Sequence, residues 1–209
     1  MNAFMRNLKN KYSIGEKILL GFWLLRTKLI CKSVRLFRFP LIIRGGEFID
    51  YGEGLTTGVG CRFDCFSRGD SSAKRLIFGK NVQINDYVHI VAMDSVKIGD
   101  DVLMASHVFI SDNSHGSYKG DNNDTDPRIP PIQRLYATAP VIIGDNTWVG
   151  EGVIVMPGVT IGVGCVIGAH SIVNKSIPDY SVAVGSPARV VKRFDFKDKH
   201  WKEIGKNEA

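Results

Sequence analysis

Of the five histidines in this 209-residue chain, His115 is the one whose surroundings suit chemistry. It lies in SDNSHGSY, between Ser114 and Gly116, within thirty residues (111–140) that carry no regular apolar pattern. An imidazole, with an unperturbed pKa of about 6.5, can take a proton from a hydroxyl near neutrality. A solvated loop histidine fits the same residues, and at this point both readings stand. Asp112, three residues earlier, could orient the ring through its second nitrogen, although Asp121, Asp124 and Asp126 share the loop. His89 and His107 adjoin aliphatic positions and are expected to face outward; His170 holds a corner-type position and His200 the tail. No His-x-x-x-x-His pair occurs, and Cys61 and Cys65 have no second pair to complete a zinc site, so no metal is expected. Cys31 and Cys165 complete a set of free thiols, with Cys165 expected in the core and no covalent nucleophile in evidence.

The frame around the loop is periodic. Ile143, Val149, Val155, Ile161, Ile167 and Val173 recur at a spacing of six, and glycine follows four of them. Four positions after the first five come Thr147, Val153, Val159, Cys165 and Ser171, all small or β-branched. The same register runs through Phe78, Ile84 and Ile90, skips two residues, and resumes at Ile98, Met104 and Ile110. A weaker version covers Ile43, Ile49, Leu55 and Cys61, where Glu47 and Glu53 fit an interior badly. A period of six suits neither an α-helix nor an alternating hairpin strand. It suits short strands joined by Gly and Asn/Asp corners, three to a coil of 18 residues, with coils stacked about 4.8 Å apart. The expectation is an all-β solenoid, a parallel β-helix.

The hexads IGDNTW, VGEGVI, VMPGVT, IGVGCV and IGAHSI, with the closing VGSPARVVKR, resemble the hexapeptide-repeat acyltransferases over roughly residues 78–193. Within that family the resemblance is to the galactoside and maltose O-acetyltransferases and to the O-acetyltransferases of bacterial surface polysaccharides. It implies a left-handed parallel β-helix, an exception to the usual crossover hand, assembled as a homotrimer with active sites between subunits. It makes His115 the general base for acetyl transfer from acetyl-CoA to a sugar or glycan hydroxyl. Asn85 then matches an asparagine used at the acceptor sugar, and Trp148 a tryptophan lining the acceptor site. Gly150, Gly168 and Ala169 match backbone contacts to the pantetheine arm, and Lys175, Arg189 and Lys192 match positions near the nucleotide phosphates. Glu151 and Asn174 depart from the family's serine and threonine, so the details of that donor contact are open.

Composition bounds the rest. The net charge of +6 is misleading, because residues 1–44 hold ten Lys and Arg against Glu16 alone, while the remainder is slightly acidic. Nucleic acid is therefore not an expected partner. Residues 1–42 read as a basic N-terminal helical arm, 43–191 as the β-helix with its excursion loop at 111–140, and 192–209 as a C-terminal tail. The stretch 14–38 reads as helix. It suits first a cap on the open end of a solenoid, and compatibly with that, contact with an anionic membrane surface, with Lys and Arg reaching the headgroups. With no cleavage site after its short apolar run, the expected location is cytoplasmic, peripheral at the inner face of the membrane. Two further readings remain: an N-acyltransferase on an amino sugar or a small molecule, and a non-catalytic β-helix scaffold.

Overall fold

A computed structural model describes residues 12–66 and 73–204. The parts of the expected arm and tail at 1–11 and 205–209 lie outside the described residues.

Three mostly parallel sheets enclose the core, and the chain visits them in rotation. The first sheet holds Leu41–Arg44, Cys61–Cys65, His89–Ala92, Phe109–Ser111, Ile154–Val155 and Ile172–Val173. The second holds Ile49–Asp50, Leu76–Phe78, Val96–Ile98, Val141–Ile143 and Thr160–Ile161. The third starts at Gln83–Ile84 and ends in an antiparallel meander of Ser181–Val184, Arg189–Asp195 and His200–Glu203. Ile143 pairs with Ile161, Val149 with Ile167 and Val155 with Val173, each partner eighteen positions on. The register side chains are buried: Ile143, Val149, Val155, Ile161, Ile167 and Val173, with Val153, Cys165 and Ser171 beside them.

Polar corners hold one coil to the next. Asp100 Oδ1 accepts the Lys80 N–H (2.7 Å), Asp145 Oδ1 that of Asp100 (2.8 Å), and Asp179 Oδ1 that of Val163 (2.9 Å). At another corner Asp86 takes the Val59 N–H and Glu151 the Ser106 N–H. The Gly-Asp pairs of the sequence therefore satisfy the backbone donors that a tight bend would leave bare.

The coils begin earlier than the clear repeat. Ile49, Leu55 and Cys61 are buried in register, and Val34, Leu36 and Phe37 upstream of them are buried as well. Glu47 and Glu53 stay exposed because the corners there turn outward.

Helix formation stops well short of residue 38. The helix spans Ile14–Ile30, opened by a Ser13–Glu16 capping box. It ends because Cys31 is extended and Val34 and Phe37 are drawn into the core, where burial outweighs helix propensity. Thr27 Oγ1 ties the helix to the coil by accepting the Phe37 N–H (2.8 Å). The cations expected to reach lipid are largely occupied. Arg26 lies over the Phe39 ring, Lys28 donates to the Lys32 and Val34 carbonyls, Arg35 to Asn81 and Arg38 to the Thr57 carbonyl. No helix among the described residues is long and apolar enough to cross a membrane.

Candidate active site

Extra residues enter the six-residue register at three places, each where the chain leaves the first sheet for the second. The breaks fall between Phe63 and Phe78, between Ile90 and Ile98, and between Ile110 and Ile143. The last of these insertions carries His115, beside one strip of the first sheet. A groove of about 400 Å³ runs along this strip, lined by Arg62, His89, Phe109, His115, Tyr136 and Met156 among others.

The loop leaves and rejoins the coil as a short antiparallel ladder, Asn113–His115 against Tyr136–Thr138. The His115 ring packs against Tyr136 with centroids 4.6 Å apart. Its Nδ1 lies 3.2 Å from the Pro131 carbonyl oxygen. A carbonyl only accepts, so Nδ1 must carry the proton in this bond, which leaves the Nε2 lone pair free to act as a base. Tyr118 donates its hydroxyl to the His115 carbonyl, and Arg134 Nη1 donates to the Tyr118 oxygen (2.8 Å). Arg134 also donates to the carbonyls of Ile129 and Pro127, so one guanidinium gathers three points of the loop.

Asp112 does not orient His115. Its carboxylate is fully buried and accepts N–H groups from Met93, Asp94 and Ser95 at 2.7–3.0 Å, and from the Asn113 side-chain amide at 3.1 Å. These are the donors of the two-residue widening at 91–95, which the coil has no other way to satisfy. Asp112 anchors the root of the loop, and the Pro131 carbonyl holds the ring.

The other expected residues lie elsewhere. Asn85 is exposed at the corner between the third and first sheets, and Trp148 is half-exposed on the third sheet; neither lines the groove of its own chain. Gly150, Gly168 and Ala169 follow strands of the third sheet at that same corner. A Cβ on Gly150 would sit 2.7 Å from the Ala169 nitrogen, and one on Gly168 2.7 Å from Val184. Val184 in turn pairs with Arg189, so these residues form one ridge with Arg189 exposed on it. Lys192 is half-buried further along the same strand, while Lys175 is exposed at the next corner, past Ile172–Val173.

Burial pushes the thiols of Cys61 and Cys65 up to about 11 and about 12, and that of Cys165 upward as well, so none of the three offers a thiolate nucleophile near neutrality. Sequence reasoning missed a charged cluster in the groove: Asp64, with Arg44, Arg62 and His89 around it. The signal lay in the insertion after Cys65. Once it is allowed for, Arg62 and His89, twenty-seven positions apart, fall side by side.

The family described as bacterial transferase hexapeptide (six repeats) matches residues 140–175. The chain is 42% identical over 196 residues to the "Putative lipopolysaccharide biosynthesis O-acetyl transferase WbbJ" of Escherichia coli (strain K12), covering 94% of this chain and 97% of that one. It is 37% identical over 131 residues to the galactoside O-acetyltransferase of the same organism, covering 63% of this chain and 60% of that protein. Among solved structures, the N-acyltransferase AntD from Bacillus cereus, in complex with dTDP and 3-hydroxybutyryl-CoA, superimposes with a TM-score of 0.64. That match is 22% identical and covers 90% of this chain and 91% of the other; at this identity it speaks for the fold alone.

Proposed function

The chain belongs to the hexapeptide-repeat acetyltransferases, and from that membership we propose that it moves an acetyl group from acetyl-CoA to a sugar hydroxyl, with His115 as the general base. The carrying observation is the His115 ring at the groove, its Nδ1–H held by the Pro131 carbonyl and its Nε2 lone pair left available. Nε2 takes the proton of the acceptor hydroxyl as its oxygen attacks the thioester carbonyl carbon. The tetrahedral oxyanion collapses with loss of the CoA thiolate, which recovers the proton from the imidazolium. A base so placed contributes about 10²–10⁴ in rate.

The same proposal takes the three sheets as a left-handed β-helix and the assembly as a homotrimer. Asn85 and Trp148 sit off the groove of their own chain, so they could join His115 only across a subunit boundary. The ridge of Gly150, Gly168, Ala169 and Arg189 suits the donor, with close backbone approach and a planar cation for phosphate; Lys192 and Lys175 would extend its positive charge. The acceptor is proposed to be a glycan of a bacterial surface polysaccharide, in line with the relative matched along nearly its whole length. The helix Ile14–Ile30 exposes Ile14, Phe22, Leu25 and Leu29, and membrane contact at the inner face is proposed for that apolar surface.

The test is release of free thiol from acetyl-CoA with a panel of glycan acceptors. Acceptor-dependent release with an acetyl ester on the product is expected. Acetyl recovered on nitrogen of amino sugars alone would instead establish the N-acyltransferase reading.

A further inference from the structure

His115 occupies one part of the groove, and the strands beside it carry a different chemistry. On the outer surface of the first sheet, Arg62, His89 and Phe109 form one cross-strand row, and Arg44, Asp64, Val91 and Ser111 form the next. Asp64 points away from the core, yet its side chain is only 3% exposed, because its neighbours fold over it. Arg44 Nη1 donates to Oδ1 (3.2 Å), and the His89 Nε2–H donates to Oδ2 (3.0 Å). Asp64 is thus neutralised by Arg44 and has a second donor in His89 before Arg62 is counted.

Arg62 is the surplus cation. Its Nε edge is ion-paired with Asp64 Oδ2 at 2.6 Å, off the hydrogen-bond line, while the side chain is 40% exposed and its Nη groups make no hydrogen bond among the described residues. A guanidinium held along its Nε edge by a carboxylate keeps the N–H groups of both Nη atoms to offer to a second anion. Among the described residues lining the groove, Asp64 is the only carboxylate, against Arg62 and His89. The strand of Arg62 lies two strand spacings, about 10 Å, from Phe109–Ser111, which leads directly into the loop of His115. Phe109 and Val91 floor the interval with apolar surface, which suits a sugar ring lying between the two ends.

We propose that Arg62, set by the buried Asp64 and flanked by His89, is an anion subsite that selects an acceptor glycan bearing a carboxylate or a phosphate group. The proposal rests on the acetyltransferase reading of this groove and names the class of its acceptor. Arg suits the role because its planar fork can grip two oxygens of either group at once. Asp64 acts as a positioning residue, holding guanidinium and imidazole at the groove wall.

Calorimetric titration of the wild type and of Arg62→Gln with glucuronate, glucose 1-phosphate and glucose tests this without requiring turnover. At least one anionic sugar is expected to bind the wild type about tenfold more tightly than glucose. Arg62→Gln should erase that preference while acetyl-CoA binding stays unchanged, and Arg62→Lys should restore part of it. The anionic probe that shows the preference distinguishes carboxylate from phosphate. If glucose binds as tightly as both anions, if none of the three binds, or if Arg62→Gln keeps the preference, the subsite is wrong. An Arg62-dependent preference in a protein that acetylates no acceptor would keep the subsite and overturn the acetyltransferase reading.

Discussion

The coils from Val141 to Val184 and the excursion at 111–140 belong to one chain but are held by different means. In the coils each residue type repeats every sixth position, and its conformation follows from burial: Val149, Val153, Val155 and Ile161 are fully or nearly fully enclosed. Over most of its length the excursion has almost no buried apolar side chain and exposes Ile132 and Leu135. Its shape depends on polar ties, with Asp112 gripping three N–H groups at its root and Arg134 gathering Pro127, Ile129 and Tyr118 further out. Hydrophobic burial is nondirectional and fixes a scaffold, whereas the hydrogen bonds of the excursion aim one ring at one groove. Stability should therefore reside in the coils and activity in the excursion, and substitutions can separate the two.

The largest effect is expected at His115. His115→Ala should lower the acceptor-dependent rate about 10²–10⁴-fold in thiol-release assays, with stability changed by no more than about 0.5 kcal/mol. The reverse pattern is expected from Leu76→Ala, which empties a fully buried position in the second sheet. It should cost about 2–5 kcal/mol by urea denaturation, with the specific activity of the folded fraction retained. Asp112 joins the two regions, so Asp112→Ala should register in both assays. Stranding the donors of residues 93–95 should cost about 3 kcal/mol, and the loosened loop should lose rate, while the pH profile of kcat keeps the shape set by His115. A profile whose limb moves in Asp112→Asn would restore Asp112 as the partner of the ring. Arg134→Ala should be mildest, lowering kcat by about tenfold with under about 1 kcal/mol of stability lost, because the residue is half-buried and ties only the loop.

What the sequence disclosed follows the same division. From Phe78 onward the coils are readable, because burial forces the same residue class into every sixth place. Upstream the register continues from Phe37, but corners built from Gly45–Gly46 and an inward-leaning Tyr51 hide it. Apolar residues run unbroken from the helix into the first coil, and this produced the overlong helix: pattern alone cannot tell a helix face from Val34 and Phe37 entering a core. His115 is conspicuous as a titratable group where the period fails. The ties that aim it are not, since a carbonyl such as that of Pro131 has no signature in residue type. Asp112 was misread because proximity in sequence suggested contact, whereas the widened corner at 91–95 claims its carboxylate. The Asp64 cluster was hidden by the insertion that separates Arg62 from His89 in sequence while the coil makes them neighbours.

Excising the excursion tests this division most directly. Ser114 and Ala137 face each other across the ladder at its base, so residues 115–136 can be replaced by Asn-Gly, a two-residue hairpin turn. Asp112 and its anchor at 93–95 remain in place. The shortened protein is expected to fold and to melt within a few degrees of the parent, with acceptor-dependent acetyl transfer abolished. Acceptor-dependent transfer that survived the excision, or a shortened chain that failed to fold, would contradict the assignment of chemistry to the excursion and of stability to the coils.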